Sequence, residues 1–169
     1  MEPLQLLLAG GVGGVVVQYV GAGPERRKAR ADVRGAMTEL DDLVWHSEEP
    51  EAWSRLRKAL HAFESASMIA GVRRDLSNWY VTTRVAFYQQ VRRNYAQYGG
   101  PDEGGGFLES HHVQGLNEAA EMIYQTLWRP QRSRWFWKRR LSAAKARTRN
   151  AVADSPDFMR DLDEGGSSV

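Results

Sequence analysis

Apolar residues recur along most of this chain at steps of three and four, the spacing that lines one face of an α-helix. Val33, Met37, Leu40 and Val44 form a first stripe. Trp53, Leu56, Leu60 and Phe63 form a second, and Leu76, Tyr80, Thr83, Phe87, Val91, Tyr95 and Tyr98 a third. Val113, Leu116, Ala120, Ile123 and Leu127 follow, and then Trp137, Leu141, Ala144, Thr148 and Val152. The residues between the stripes are helix starts and stops. Ser47 is a candidate N-cap, with Glu48, Glu49 and Glu51 near the positive end of the helix it opens. Gly71 suits a C-cap, the third helix begins near Asp75, and GGPDEGGG over 99–106 is the clearest break. Ser110 is a candidate cap for the fourth helix. Pro130 ends it, because the residue before a proline is pushed out of the α region, and a fifth helix can begin near Ser133. No strand-like alternation is sustained and no long repeat is visible. The body of the chain therefore predicts a four- or five-helix antiparallel bundle, all-α throughout.

The start of the chain follows a different pattern. Residues 4–23, LQLLLAGGVGGVVVQYVGAG, carry no charge, and about 20 such residues cross a bilayer core as a helix. Arg26, Arg27, Lys28 and Arg30 follow at once, while only Glu2 and Pro3 separate the run from Met1. Positive charge on the C-terminal flank orients such a span with the N-terminus outside and the rest in the cytoplasm, and Tyr19 stands where an interfacial aromatic is expected. A cleaved signal peptide would carry its positive charge on the other flank. A buried helix at the core of a soluble oligomer is the remaining reading. Ala9, Gly10, Gly13 and Gly14 make two small-xxx-small pairs, a spacing that lets two helices approach closely in lipid and would support a homodimer through the first helix. Glycine is also simply common in transmembrane helices. A phosphate-cradling loop at Gly10–Gly14 would need glycine where Val16 stands. The expected organisation is a membrane anchor helix over 1–24, a helical cytoplasmic domain over 25–153 and an acidic disordered tail over 154–169.

Composition narrows the function classes. At 169 residues with 42% hydrophobic and 26% charged positions, the chain has material for one domain with a core. A mean hydropathy of -0.55 excludes a multi-span protein. The absence of cysteine excludes a disulfide scaffold, a thiolate metal site and a cysteine nucleophile. Net charge is only +2, so its distribution matters more than its sum. Between Arg129 and Arg149 nine basic residues occur without an acidic one, next to Trp135 and Trp137. Arg134, Lys138, Arg139, Arg140, Lys145, Arg147 and Arg149 on an amphipathic helix suit a segment lying on anionic lipid. They would equally suit a nucleic-acid backbone with the tryptophans stacking on bases, the less expected partner. A third reading is a solvated basic face that pairs with the acidic tail: Asp154, Asp157, Asp161, Asp163 and Glu164.

Candidate chemistry is sparse. His61 and Glu64 lie one helical turn apart, as do Glu109 and His112. A di-iron bundle needs Glu-x-x-His on two helices plus a glutamate from each of two others, and here the order at His61 is reversed. No HExxH, GxSxG, SxxK or Walker loop occurs. No cofactor is expected and no catalytic residue is assigned. Whether an enzyme is assembled from scattered residues stays open.

GGVGGVVVQYV followed by RRKAR, together with IAGVRRDLSNWY, resembles a diffuse group of small single-span, Arg-rich helical membrane proteins of high-GC Gram-positive bacteria and their phages. The resemblance implies a membrane-anchored protein of unknown function and transfers no functional residue. Taken together, the sequence predicts a membrane-anchored helical interaction or scaffold protein at the cytoplasmic face of the cell membrane, with lipid and an unidentified protein as partners. The alternative is a soluble oligomeric nucleic-acid-binding protein that uses the basic helix over 129–149.

Overall fold

A computed structural model describes residues 24–43, 49–99, 110–128 and 137–164. They form six helices: α1 (24–43), α2 (Ala52–Ala70), α3 (Arg74–Tyr98), α4 (Ser110–Trp128), α5 (Trp137–Ala151) and α6 (Pro156–Glu164), with no strand among the described residues. The all-α expectation holds. The expected anchor helix, with Ala9, Gly10, Gly13, Gly14 and Tyr19, lies outside the described residues. So do the cap at Ser47 and the basic-aromatic pair Arg134 and Trp135. Among the described residues no helix is long and apolar enough to cross a membrane.

The apolar stripes become the core. Val33, Met37 and Leu40 of α1, Leu56, Leu60 and Phe63 of α2, Leu116 and Ile123 of α4, and Leu141, Ala144 and Val152 from α5 onward are all buried. Trp53 departs from its stripe: it is 37% exposed and leans against the Tyr88 ring at 5.6 Å. The largest departure is α3. The spacing predicts one stripe, yet every residue from Trp79 to Tyr88 is buried apart from half-buried Val85. A helix enclosed on all sides is the centre of a bundle rather than its wall. Phe63 of α2 meets Tyr80 at 4.6 Å on one side, α4 and α6 pack along others, and α5 packs on α4.

Two glycines position helices. Gly71 adopts φ +78° and closes α2 as expected. Its N–H donates to the Met68 carbonyl and that of Val72 to the Ser67 carbonyl, which answers the last free carbonyls of α2 and turns the chain into α3. Gly115, inside α4, faces Thr148 of α5. A Cβ there would lie 2.8 Å from Thr148 Cγ2, so the missing side chain is what lets α4 and α5 approach.

The C-terminal segment corrects the expected disordered tail. Pro156–Glu164 is helical, with Phe158 and Leu162 buried to 1% and 4%. Phe158 packs on the His112 ring at 4.8 Å, and Asp161 pairs with Arg93 of α3 at 2.7 Å. Two apolar residues one turn apart fill a site between α3 and α4, and their burial outweighs the acidic composition. The start of α2 is also later than Ser47 implies: Glu51 stands at the N-cap, and Glu49 pairs with Arg55.

Gly115→Ala should destabilise the fold by about 1–3 kcal/mol, since the stiff β-branched Thr148 cannot swing its methyl away. Adding Thr148→Ser removes that methyl and should return most of the loss in a thermal melt. Additive losses in the double variant would show that the close approach is not the cause.

Candidate functional site

α5 is the element on which most sequence-predicted site residues fall. Its buried side carries Leu141, Ala144 and Thr148, so its basic residues project outward on two flanks. On the α4 flank, Arg147 Nε donates to both carboxylate oxygens of Glu118 at 3.0 Å. That hydrogen bond holds the guanidinium above its ordinary range. Arg140 donates to Gln125. On the other flank, Arg149 pairs with Asp163 of α6 at 2.7 Å. Lys145 lies 5.3 Å over the Trp79 ring, and Lys138 5.8 Å over that of Trp137. Arg139 faces solvent.

Self-pairing with the acidic segment is thus real at Arg149. Asp161 instead serves Arg93, and Asp157 serves Arg160 within α6. The apolar side of α5 is inside the bundle, so this helix cannot lie in a lipid interface by burying that side. What it offers a partner is charge. Between Asp75 of α3 and the outer flank of α5 runs an open depression of about 540 Å³, lined in part by Trp137, Lys138, Ser142, Lys145 and Arg149. One face of Trp137 is covered by the Arg73 guanidinium at 3.7 Å.

At the N-terminal end of α1, Arg26, Arg27 and Lys28 are exposed and Arg30 half-buried. They do not join the α5 depression. Among the described residues His61 and His112 are not brought together, and Glu109 lies outside them. His61 pairs with Glu64 at 3.5 Å on an exposed stretch of α2. His112 is buried, with Nε2 3.2 Å from Ser155 Oγ. Among the described residues no group of His, Asp and Glu could hold a metal ion.

Sequence reasoning missed the polar group at the centre. Arg84 is 2% exposed. Its Nε donates to Tyr80 Oη at 3.0 Å, and a terminal nitrogen donates to the Asp41 carboxylate of α1. Burial pushes the Tyr80 phenol up to about 12, against a weaker downward pull from Arg84. The members of the cluster answer one another, so it acts as a structural clasp. The one signal for it in sequence is an arginine one turn beyond a stripe tyrosine.

No family model, no curated protein and no solved structure matches this chain.

Asp41→Ala should cost about 3 kcal/mol, because it strands a buried guanidinium. Arg84→Met should stay within about 1 kcal/mol of the native protein, since Asp41 is more than half exposed and hydrates itself when released. Denaturant titration of both variants checks the order, and equal costs would refute it. The folded phenol of Tyr80 holds its proton above the unfolded value of 10, so its contribution is complete below pH 10 and lost as pH rises toward about 12. Tyr80→Phe should flatten the fall in melting temperature across that window.

Proposed function

We propose that this protein is a helical interaction protein anchored in the cell membrane through residues 4–23, with its N-terminus outside and its bundle at the cytoplasmic face. The observation that carries this reading is the junction at Pro24. The uncharged run meets a folded helix there, and the first turns of that helix present Arg26, Arg27 and Lys28 to solvent. A basic cluster directly after an apolar span is the arrangement that fixes orientation and meets anionic headgroups. The bundle then serves as the surface that a protein partner meets, and pairs such as Ala9–Gly13 and Gly10–Gly14 suit a second copy in the membrane.

The nucleic-acid alternative is less well served. A stacking platform needs an open aromatic face, and Arg73 occupies one face of Trp137. Arg140, Arg147 and Arg149 already have partners within the bundle.

Membrane partition tests the reading directly. Full-length protein should stay with the membrane fraction through an alkaline carbonate wash, and a version lacking residues 1–23 should be released. Full-length protein in the wash supernatant would overturn the anchor and return attention to nucleic acid.

A further inference from the structure

Five large apolar side chains are exposed among the described residues; Trp53 and Tyr98, at 37% and 57%, lie at the start of α2 and the end of α3, and the other three lie toward the opposite end. The three most exposed among the described residues are Met68, Trp128 and Ile69, at 77%, 66% and 60%. They come from distant parts of the sequence and gather at one end of the bundle. Met68 and Ile69 are in the last turn of α2, just before the Gly71 turn into Arg73. Trp128 is the last residue of α4. The Arg73 guanidinium lies on Trp137, the first residue of α5, and Gln125 in the last turn of α4 receives Arg140. Two helices therefore end here and two begin here.

The connection of α1 to its neighbours points to the same end for its start. Asp41, near its C-terminus, reaches Arg84 in the middle of α3. Only residues 44–51 join α1 to α2, a connection short enough to suit antiparallel neighbours. Pro24 then lies about 25 Å back along α1 from Asp41, toward the turn between α2 and α3. Charge at this end is one-sided. Arg26, Arg73, Arg74, Lys138 and Arg139 are exposed there. Among the described residues, the carboxylates in the same terminal turns are Glu25 and Asp75. The opposite end carries Glu49, Glu51 and the acidic helix α6, whose carboxylates are partly answered by Arg55, Arg93, Arg149 and Arg160.

We propose that this end is a lipid-docking tip: Met68, Ile69 and Trp128 enter the headgroup region of an anionic leaflet while Arg73, Arg74, Lys138 and Arg139 meet its phosphates. The proposal rests on the membrane reading above, because the apolar run joins the fold at this end. Exposed apolar residues ringed by cations match a surface that is negative outside and apolar beneath. A second copy docked tip to tip would face like charge with like charge. A nucleic acid offers nothing for Met68 and Ile69 to enter.

The test uses the full chain, which has no cysteine of its own. A polarity-sensitive fluorophore is attached to Met68→Cys, or to Ser54→Cys at the far end of α2 as control. Both sites are exposed, so neither substitution disturbs the core. The protein is reconstituted in phosphatidylcholine vesicles with or without phosphatidylglycerol, and a spin-labelled lipid serves as quencher. The tip predicts a blue shift and several-fold stronger quenching at position 68 than at 54 with phosphatidylglycerol, lost when Arg73, Arg74, Lys138 and Arg139 become Gln. If both positions stay in water while the chain survives a carbonate wash on the vesicles, the tip is overturned and the anchor stands. Quenching at 68 on a chain that the wash removes supports the tip and overturns the anchor. A chain that binds neither vesicle overturns both. Disulfide-linked dimers of the unlabelled Met68→Cys variant assign the surface to a second copy and overturn the lipid proposal.

Discussion

The bundle is organised around one enclosed cation. α3 is surrounded, so each polar group along its middle needs an answer from within the protein. Thr83 returns its hydroxyl to the Trp79 carbonyl of its own helix at 2.8 Å. Arg84 is not fully answered by its own helix, and it takes Asp41 from α1 as well as Tyr80 from α3. This requirement sets the register of α1 on α3, because a slip of one turn would carry that carboxylate away. Apolar packing alone tolerates such slips more readily, since one aliphatic side chain substitutes for another. Tyr80 is also held by the Phe63 ring, so the clasp ties α1, α2 and α3 together.

The sequence is most legible where burial is one-sided. Leu141, Ala144, Thr148 and Val152 are all buried, and Gly71 ends α2 in the left-handed conformation that glycine favours. It is least legible where burial is all-round. On α3 the enclosed residues include Ser77, Thr82 and Arg84, and a pattern of apolar and polar letters reads these as a wet face. The acidic letters of α6 conceal Phe158 and Leu162, two residues that suffice for a nine-residue helix when a groove awaits them. The exposed end escapes a linear reading for another reason. Its residues share no stretch of sequence and become neighbours only when α2, α4 and α5 are folded.

The charge of α5 changes meaning once the fold is known. Nine basic residues over 129–149 with no acidic one between them suggest one continuous surface. Folding divides the described ones between neighbours on two flanks, and Glu118, Gln125 and Asp163 take up three of them. What is left for a partner is smaller, lies nearer the start of the helix, and continues onto the start of α3. A net charge of +2 thus hides a strong polarity from one end of the bundle to the other.

That polarity comes with a direction of travel. The basic end holds the turn from α2 into α3, and the described chain leaves the bundle at Glu164 on α6, which is clipped to Arg93 in the far part of α3 and stacked against the opening turn of α4. The turn into α3 and the clip on Arg93 are separated by much of the length of that helix, which is about 38 Å for its 25 residues. Mechanically the fold is a standoff: α6 is held a fixed distance from the basic end.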